Sequence, residues 1–175
     1  MTRKNNVDVS AVERSAAEAK ADPTKLRKTQ RIEGEWLLAE GGPQFRAEIA
    51  YENGKVVLEA DQPKGQGGGG SRPSPIHYCT LGMAACYTAT YALVASQMGI
   101  KLERLSVRLE SNMDYSRVFG VSQAPLVHCV DVTLQVKADA PAEKLHEIER
   151  LAQERCPAVY CLTNPIQLHA ALEVV

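Results

Sequence analysis

The cysteines are the residues of this 175-residue sequence with the most distinctive chemistry. A cysteine thiolate attacks electrophiles, binds soft metals and forms disulfides, and its surroundings decide how readily it does so. Several cysteines in one chain can therefore form redox pairs or bind a metal ion. Its five cysteines are Cys79, Cys86, Cys129, Cys156 and Cys161.

Sequence spacing limits which cysteines can pair. Cys79 and Cys86 are seven residues apart in one apolar stretch. In a helix they would share a face about 10 Å apart, too far for a disulfide with each other. Cys161 follows Cys156 by five residues and is a possible disulfide partner for it.

A metal site is the alternative to redox chemistry, because Cys129, Cys156, Cys161 and His169 could meet on one sheet. Their spacing does not match the CxxC or HxxxH patterns that are typical of metal ligands. We therefore expect neither a metal site nor a cofactor.

A long stretch without Lys, Arg, Asp or Glu runs from Pro75 to Met98 and is followed by Gly99. Proline is favoured in the first turn of a helix and glycine just after its end. Such a helix would be about 36 Å long, enough to cross a small domain or a bilayer. Polar residues within it and amphipathic strands around it favour the buried central helix of a soluble domain, without membrane contact.

Apolar and polar residues alternate from Lys28 onward and predict three strands before this helix. A turn at residues 41–43 separates the first two, and Asn53-Gly54 is a strong hairpin signal before the third. Residues 1–27 are polar and rich in alanine, with a short helix predicted from Ser10. We interpret residues 1–27 as a partly helical or disordered appendage and 28–175 as one domain.

After the central helix, alternation predicts two long strands and then a helix that Pro141 opens and Cys156 ends. A last alternating segment, residues 166–174, predicts a closing strand. The predicted order is β-β-β-α-β-β-α-β, which makes the domain α+β.

The loop before the central helix, residues 61–74, contains four consecutive glycines at 67–70. Glycine and proline make regular structure costly there. Because no GK[ST] sequence follows to complete a phosphate-binding loop, we expect a mobile flap over a pocket.

Charge and the N-terminal sequence restrict the partners and the compartment. The 20 Lys and Arg residues nearly balance the 21 Asp and Glu residues, with no dense basic cluster, so nucleic acid is not expected as a partner. The first residues, MTRKNNVDVS, lack the apolar core of a signal peptide, and five is an odd number for a secreted disulfide framework. We expect a cytoplasmic protein.

Two cysteine segments resemble motifs of one protein family. The segment SPIHYCTLGMAACYTAT, around Cys86, resembles the (T/S)NPEELxxAAxAACxxxx stretch of the OsmC/Ohr proteins, the osmotically inducible and organic-hydroperoxide-resistance family. The segment ERCPAVYCLTNPI, around Cys156, resembles the CPVS segment after their second helix. The predicted elements follow the family order, so the resemblance spans residues 28–175.

The resemblance implies an intertwined homodimer with a pocket at the subunit interface and thiol-dependent reduction of small organic hydroperoxides. Cys86 would attack the peroxide, Cys156 would resolve the product as a disulfide, and a dithiol would reduce that disulfide. The alternative is a catalytically weak or silent OsmC-fold protein that binds a small apolar ligand in the same pocket.

The attacking thiol needs a nearby cation, because the helix dipole fades after the first turn. By the resemblance this cation is an arginine: Arg46, which resembles the arginine of the GGRxGR turn with different spacing, or Arg72 before the helix. Ile76, followed by His77, replaces the family carboxylate that holds this arginine. We therefore expect Ile76 and His77 at the substrate pocket, a loosely held arginine and low activity.

Overall fold

The computed structural model describes residues 3–174 as two compact units. The meander unit consists of residues 13–81, and the thiol unit joins the residues up to Val12 to those from Gly82 onward. The predicted boundary between residues 27 and 28 stays a prediction.

The described residues form an α+β arrangement, as predicted from the sequence. The strands are β1 (Arg3–Lys4), β2 (Val7–Asp8), β3 (Glu33–Trp36), β4 (Phe45–Tyr51), β5 (Gly54–Ala60), β6 (Leu102–Met113) and β7 (Val127–Ala138). The helices are α1 (Val9–Ala21), α2 (Pro75–Gln97), α3 (Ala142–Arg155) and α4 (Pro157–Thr163). Short 3-10 turns lie at Pro23–Leu26, Lys64–Gln66 and Tyr115–Arg117.

The sheet of the meander unit has the antiparallel order β3-β4-β5, which confirms the predicted meander. Arg46 lies opposite Glu59 in the ladder, and Ala47 lies opposite Leu58. Successive side chains of a strand point to opposite faces of its sheet. Ala47 and Leu58 therefore lie on an apolar face, and Arg46 and Glu59 lie on the other.

The glycine-rich loop after β5 is attached to a buried carboxylate. Asp61 is 1% exposed, and it accepts hydrogen bonds from the amides of Gly69 (3.2 Å) and Ser71 (2.8 Å) and from the Ser71 hydroxyl (2.8 Å). The bond from the Ser71 amide is the main cause that lowers the pKa of Asp61. Hydrogen bonds that the sequence did not reveal thus hold the predicted flap at its base.

Helix α2 begins at Pro75 and ends at Gln97, close to the predicted bounds. Before its first turn, the Ser74 amide donates a hydrogen bond to His77 Nδ1 at 3.1 Å, so His77 takes the position of the acid in a capping box. Gly99, with φ +77°, ends the helix in the left-handed conformation. By length and composition α2 could cross a membrane, a criterion that the core helix of a soluble protein also meets.

The core of the thiol unit forms where the second half of α2 packs against α3. The buried side chains of α2 lie between Tyr87 and Ser96, whereas Leu81 is 63% exposed. Strands β6 and β7 form an antiparallel ladder and add side chains such as Val132 to this core. The buried cluster comprises Tyr87, Tyr91, Val94, Ala95, Ile148, Ala152 and Cys156.

The predicted closing strand at residues 166–174 is wrong. The chain instead forms the short helix α4 and then continues through residues 164–174 without regular secondary structure. Leu168 and Leu172 are each 88% exposed. Alternation can be satisfied as a strand only where another strand supplies hydrogen bonds, and none pairs with this segment in the described chain.

A small hairpin at the N-terminal end is bound to the turn after α2. The Asn5 side chain donates hydrogen bonds to the Ser96 hydroxyl (3.0 Å) and the Ile100 carbonyl (2.9 Å). It also accepts one from the Leu102 amide at 2.8 Å. Asn5 and Asn6 have φ of 51° and 63°, a conformation that asparagine tolerates better than most residues. The start of the predicted appendage therefore contacts the fold specifically.

Replacing Asn5 by glycine should lower the free energy of unfolding by about 1–3 kcal/mol, because the Leu102 amide and the Ile100 carbonyl lose their partner. Glycine accepts the positive φ, so backbone strain does not contribute. Asn6→Gly, in the same turn, is the matched control and should change stability by less than about 0.5 kcal/mol. Urea unfolding measures both, and equal losses would show that the side-chain bonds of Asn5 do not stabilise the protein.

Candidate redox site

Two cysteines that are distant in the sequence meet inside the thiol unit. The sulfur of Cys86, on α2, lies 3.7 Å from the sulfur of Cys156, at the end of α3. Cys156 is 0% exposed, and Cys86 is half-buried beside the same core. The structure thus brings together the two cysteines that the resemblance assigns to attack and resolution.

Local sequence explains the position of Cys156. Its amide donates to the Ala152 carbonyl at 3.0 Å and closes the last turn of α3. Pro157 disfavours the helical conformation for the residue before it, and Cys156 has the extended angles φ −78° and ψ 119°. Pro157 then opens α4, where its missing N–H costs little. The kink between α3 and α4 directs the thiol towards α2.

The surroundings of Cys86 keep its thiol protonated. Burial is the main cause that raises the pKa of Cys86, and the neighbouring Cys156 and Cys161 add to the rise. A hydrogen bond from the Ala158 amide acts in the opposite direction with a smaller effect than burial. A nucleophilic thiolate therefore requires a cation in addition to the groups that surround Cys86 in the thiol unit.

The other cysteines, Cys79, Cys129 and Cys161, are exposed. Cys129 lies on the polar side of β7, where its sulfur is 3.0 Å from the Asn112 side-chain nitrogen and 3.5 Å from an Asp131 carboxylate oxygen. Within residues 3–174, no group of three or more His, Cys, Asp or Glu side chains is arranged to hold a metal ion.

The two candidate arginines share one carboxylate in the meander unit. Glu59 Oε2 lies 2.8 Å from Arg72 Nε, and Glu59 Oε1 lies 3.2 Å from Arg46 Nη2. The Glu59 side chain is 20% exposed, less than either arginine. Hydrogen bonding from Arg72 is the main cause that lowers the pKa of Glu59. Both ion pairs therefore persist at neutral pH and are lost only when acid protonates Glu59 below its ordinary range.

Glu59 corrects the expectation that the arginine is loosely held. At the start of α2 the sequence has Ile76 where the family carboxylate is expected, and the role of the acid on β5 was not predicted. The hairpin register was the available signal, because two-residue loops place Arg46 opposite either residue 59 or residue 61, both acidic. The observed loop at Glu52 and Asn53 selects Glu59.

An apolar cavity of about 340 Å³ lies on the apolar face of the same sheet. Pro75 and Tyr78 from the start of α2 help to line it, whereas Ile76 and His77 do not. The Tyr78 hydroxyl donates to the Glu59 carbonyl at 2.7 Å and joins the helix start to β5. The remaining lining residues are Ile32, Trp36, Phe45, Ala47, Ile49, Leu58, Glu59 and Ala60.

The sequence matches the family model described as OsmC-like protein over residues 68–170, more than half of the chain. This chain therefore belongs to the OsmC-like protein family, which confirms the resemblance found in the two cysteine motifs. No curated protein matches the sequence.

Solved structures of OsmC-like proteins share the fold. An OsmC-like protein from Mycoplasma pneumoniae is 20% identical with a TM-score of 0.58, over 78% of this chain and 89% of that one. An organic hydroperoxide resistance protein OsmC from Legionella pneumophila is 20% identical with a TM-score of 0.56, over 78% and 90%. A candidate organic hydroperoxide resistance protein from Vibrio cholerae, with captopril bound in one of its active sites, is 17% identical with a TM-score of 0.55, over 79% and 88%. These identities support the fold alone.

Mild oxidation with diamide should join Cys86 to Cys156 within one chain. Their sulfurs are 3.7 Å apart and need only a small movement to reach the disulfide length of about 2.05 Å. Peptide mapping by mass spectrometry identifies the link, and Cys129→Ser, which removes an exposed thiol, should give the same product. A Cys156–Cys161 link with Cys86 still reduced would contradict this assignment.

Proposed function

We propose that this protein reduces organic hydroperoxides with Cys86 as the attacking thiol and Cys156 as the resolving thiol. The observation that carries the proposal is the 3.7 Å separation of the two sulfurs inside the thiol unit. Membership of the OsmC-like family supports it, as does the name of the similar Legionella protein, an organic hydroperoxide resistance protein.

The two thiols together supply the two electrons that reduce one hydroperoxide. The Cys86 thiolate attacks a peroxide oxygen, the O–O bond breaks, and the alkoxide leaves and takes up a proton as an alcohol. The resulting Cys86 sulfenic acid condenses with the Cys156 thiol and releases water, which forms the disulfide. An external dithiol then supplies two electrons, as expected for a protein of the cytoplasm, where thiols are kept reduced.

Cumene hydroperoxide consumption in the presence of dithiothreitol tests this function. Cys86→Ser should abolish consumption. Treated with one equivalent of cumene hydroperoxide without dithiothreitol, the double variant Cys156→Ser/Cys161→Ser should leave Cys86 as a sulfenic or over-oxidised species that peptide mapping detects, because both nearby thiols are removed. Cys79→Ser is the matched control, because it removes an exposed thiol from the same helix. Consumption by Cys86→Ser at the rate of the unmodified protein would refute the assignment of the attacking thiol.

Activation of Cys86 is proposed to come from Arg46 or Arg72, with Glu59 holding both guanidinium groups. Burial raises the pKa of the Cys86 thiol, and a nearby guanidinium would lower it by stabilising the thiolate. A tethered guanidinium does this better than a free one because it spends more of its time in position.

Glu59→Gln should therefore lower the rate constant for cumene hydroperoxide about tenfold at neutral pH, equal to roughly 1.4 kcal/mol. The pH at which the rate constant rises should also be higher than in the unmodified protein, because the pKa of the Cys86 thiol is then higher. Glu59→Asp should recover part of the rate. Glu48→Gln, which removes an ion pair with Lys55 on the same face of the sheet, is the control. Equal effects of the glutamine variants would show that Glu59 does not position the cation.

A homodimer is part of the proposal. Arg46 lies on the face of its sheet opposite the one that Pro75 and Tyr78 cover, an arrangement that suits delivery to a second subunit. Exposed apolar side chains on α2 and in the C-terminal segment, such as Leu81 and Leu172, would also be covered by association. We expect sedimentation equilibrium to show a dimer at micromolar concentration. A monomer at that concentration would contradict a pocket at the subunit interface.

The second candidate function is binding of a small apolar ligand without peroxide chemistry. The raised pKa of Cys86 and the apolar cavity of about 340 Å³ favour it. Trp36, the single tryptophan of the chain, lines this cavity. A change of its fluorescence on addition of cumyl alcohol, together with no consumption of cumene hydroperoxide, would favour ligand binding over hydroperoxide reduction as the function.

A further inference from the structure

Cys161 is a third thiol beside the proposed pair, and the proposed function does not use it. It lies on α4, the helix that starts directly after Cys156, and its side chain is exposed. Cys156 is fully buried and Cys86 is half-buried. A disulfide between Cys86 and Cys156 would therefore offer little exposed sulfur to an external reductant.

Helix geometry places Cys161 on the same side of α4 as Ala158, a residue that packs against the core beside the thiol pair. Ala158 and Cys86 pack against the same buried cluster, and Cys161 follows Ala158 by three residues. Residues three apart on a helix have Cβ atoms about 5–6 Å apart, and helical side chains lean towards the N-terminal end. The Cys161 side chain thus leans towards Ala158, which packs with Cys86 against the same cluster. The charge of Cys161 also raises the pKa of Cys86, in agreement with this proximity.

The direct pairing of Cys156 with Cys161 is disfavoured by the same helix. The Tyr160 amide bonds to the Cys156 carbonyl at 2.9 Å, so the turn between the two cysteines is closed. Residues five apart on a helix differ by about 140° around the axis and about 7.5 Å along it. This exceeds the span of a disulfide, so α4 would have to unwind.

We propose that Cys161 is an exit thiol, which takes over the disulfide from buried Cys156 and presents it at the surface for reduction. This inference rests on the proposed function, in which Cys86 and Cys156 form the first disulfide.

In the exchange step, the Cys161 thiolate attacks the Cys86 sulfur. The Cys86–Cys156 bond breaks, a Cys86–Cys161 bond forms, and Cys156 leaves as a thiolate that takes up the proton lost by Cys161. The step moves a disulfide and consumes no electrons. A small dithiol then attacks the exposed Cys161 sulfur and releases Cys86. Its second thiol closes the dithiol to a cyclic disulfide, frees Cys161 and completes the two-electron reduction.

The test separates this exchange from peroxide chemistry. The full chain is oxidised with diamide, and the reduction of its Cys86–Cys156 disulfide by dithiothreitol is followed by mass spectrometry. Cys161→Ser should slow this reduction about tenfold or more, because the buried disulfide must then be attacked directly. Cys129→Ser removes another exposed thiol and should be reduced at the rate of the unmodified protein.

A second measurement keeps Cys161 in place. Cys156→Ser, oxidised with diamide, should form a Cys86–Cys161 disulfide within one chain. Reduction of Cys161→Ser at the rate of the Cys129→Ser control, or no such link in Cys156→Ser, would overturn the exit role. Both measurements use diamide and no hydroperoxide, so their result does not depend on peroxidase activity. A protein that failed to consume cumene hydroperoxide would contradict the proposed function but would not change the measured disulfide exchange.

Discussion

Packing of the second half of α2 against α3 is the interaction on which the redox site depends. Tyr91 and Val94 are buried in one cluster with Ile148 and Ala152, and each large apolar side chain contributes about 1.5–3 kcal/mol when it is fully buried. The same contacts set the position of α3 beside α2, so the thiol of Cys156 reaches Cys86. Stability of this core and geometry of the thiol pair are therefore inseparable.

The same burial opposes the chemistry that the site would perform. A thiol surrounded by apolar groups stays protonated because its anion loses solvation, and the pKa of Cys86 is raised for this reason. In the meander unit, the guanidinium groups of Arg46 and Arg72 converge on Glu59. A strand residue can hold a guanidinium as well as a helix residue can, since only the position of the carboxylate matters.

Two polar side chains, half-buried Asn5 and buried Asp61, organise segments that contain little regular structure. Asn5 bonds to the turn between α2 and β6, and Asp61 holds the glycine-rich loop. In both cases a side chain satisfies backbone groups that a strand or helix would otherwise satisfy. Such contacts produce no periodic pattern of apolar residues. The sequence therefore suggested an appendage for residues 1–27 and a mobile flap for residues 61–74.

The sequence by itself determined the elements whose signals are local. An uncharged stretch between proline and glycine defined α2, alternation defined the meander and the ladder of β6 and β7, and Pro157 marked the end of α3. The pairing of Cys86 with Cys156 was available through the family motifs. Only the tertiary structure decided that Glu59 holds both arginines and that residues 166–174 form no strand. Both outcomes depend on hydrogen-bonding partners from another segment, and periodicity within one segment does not specify those partners.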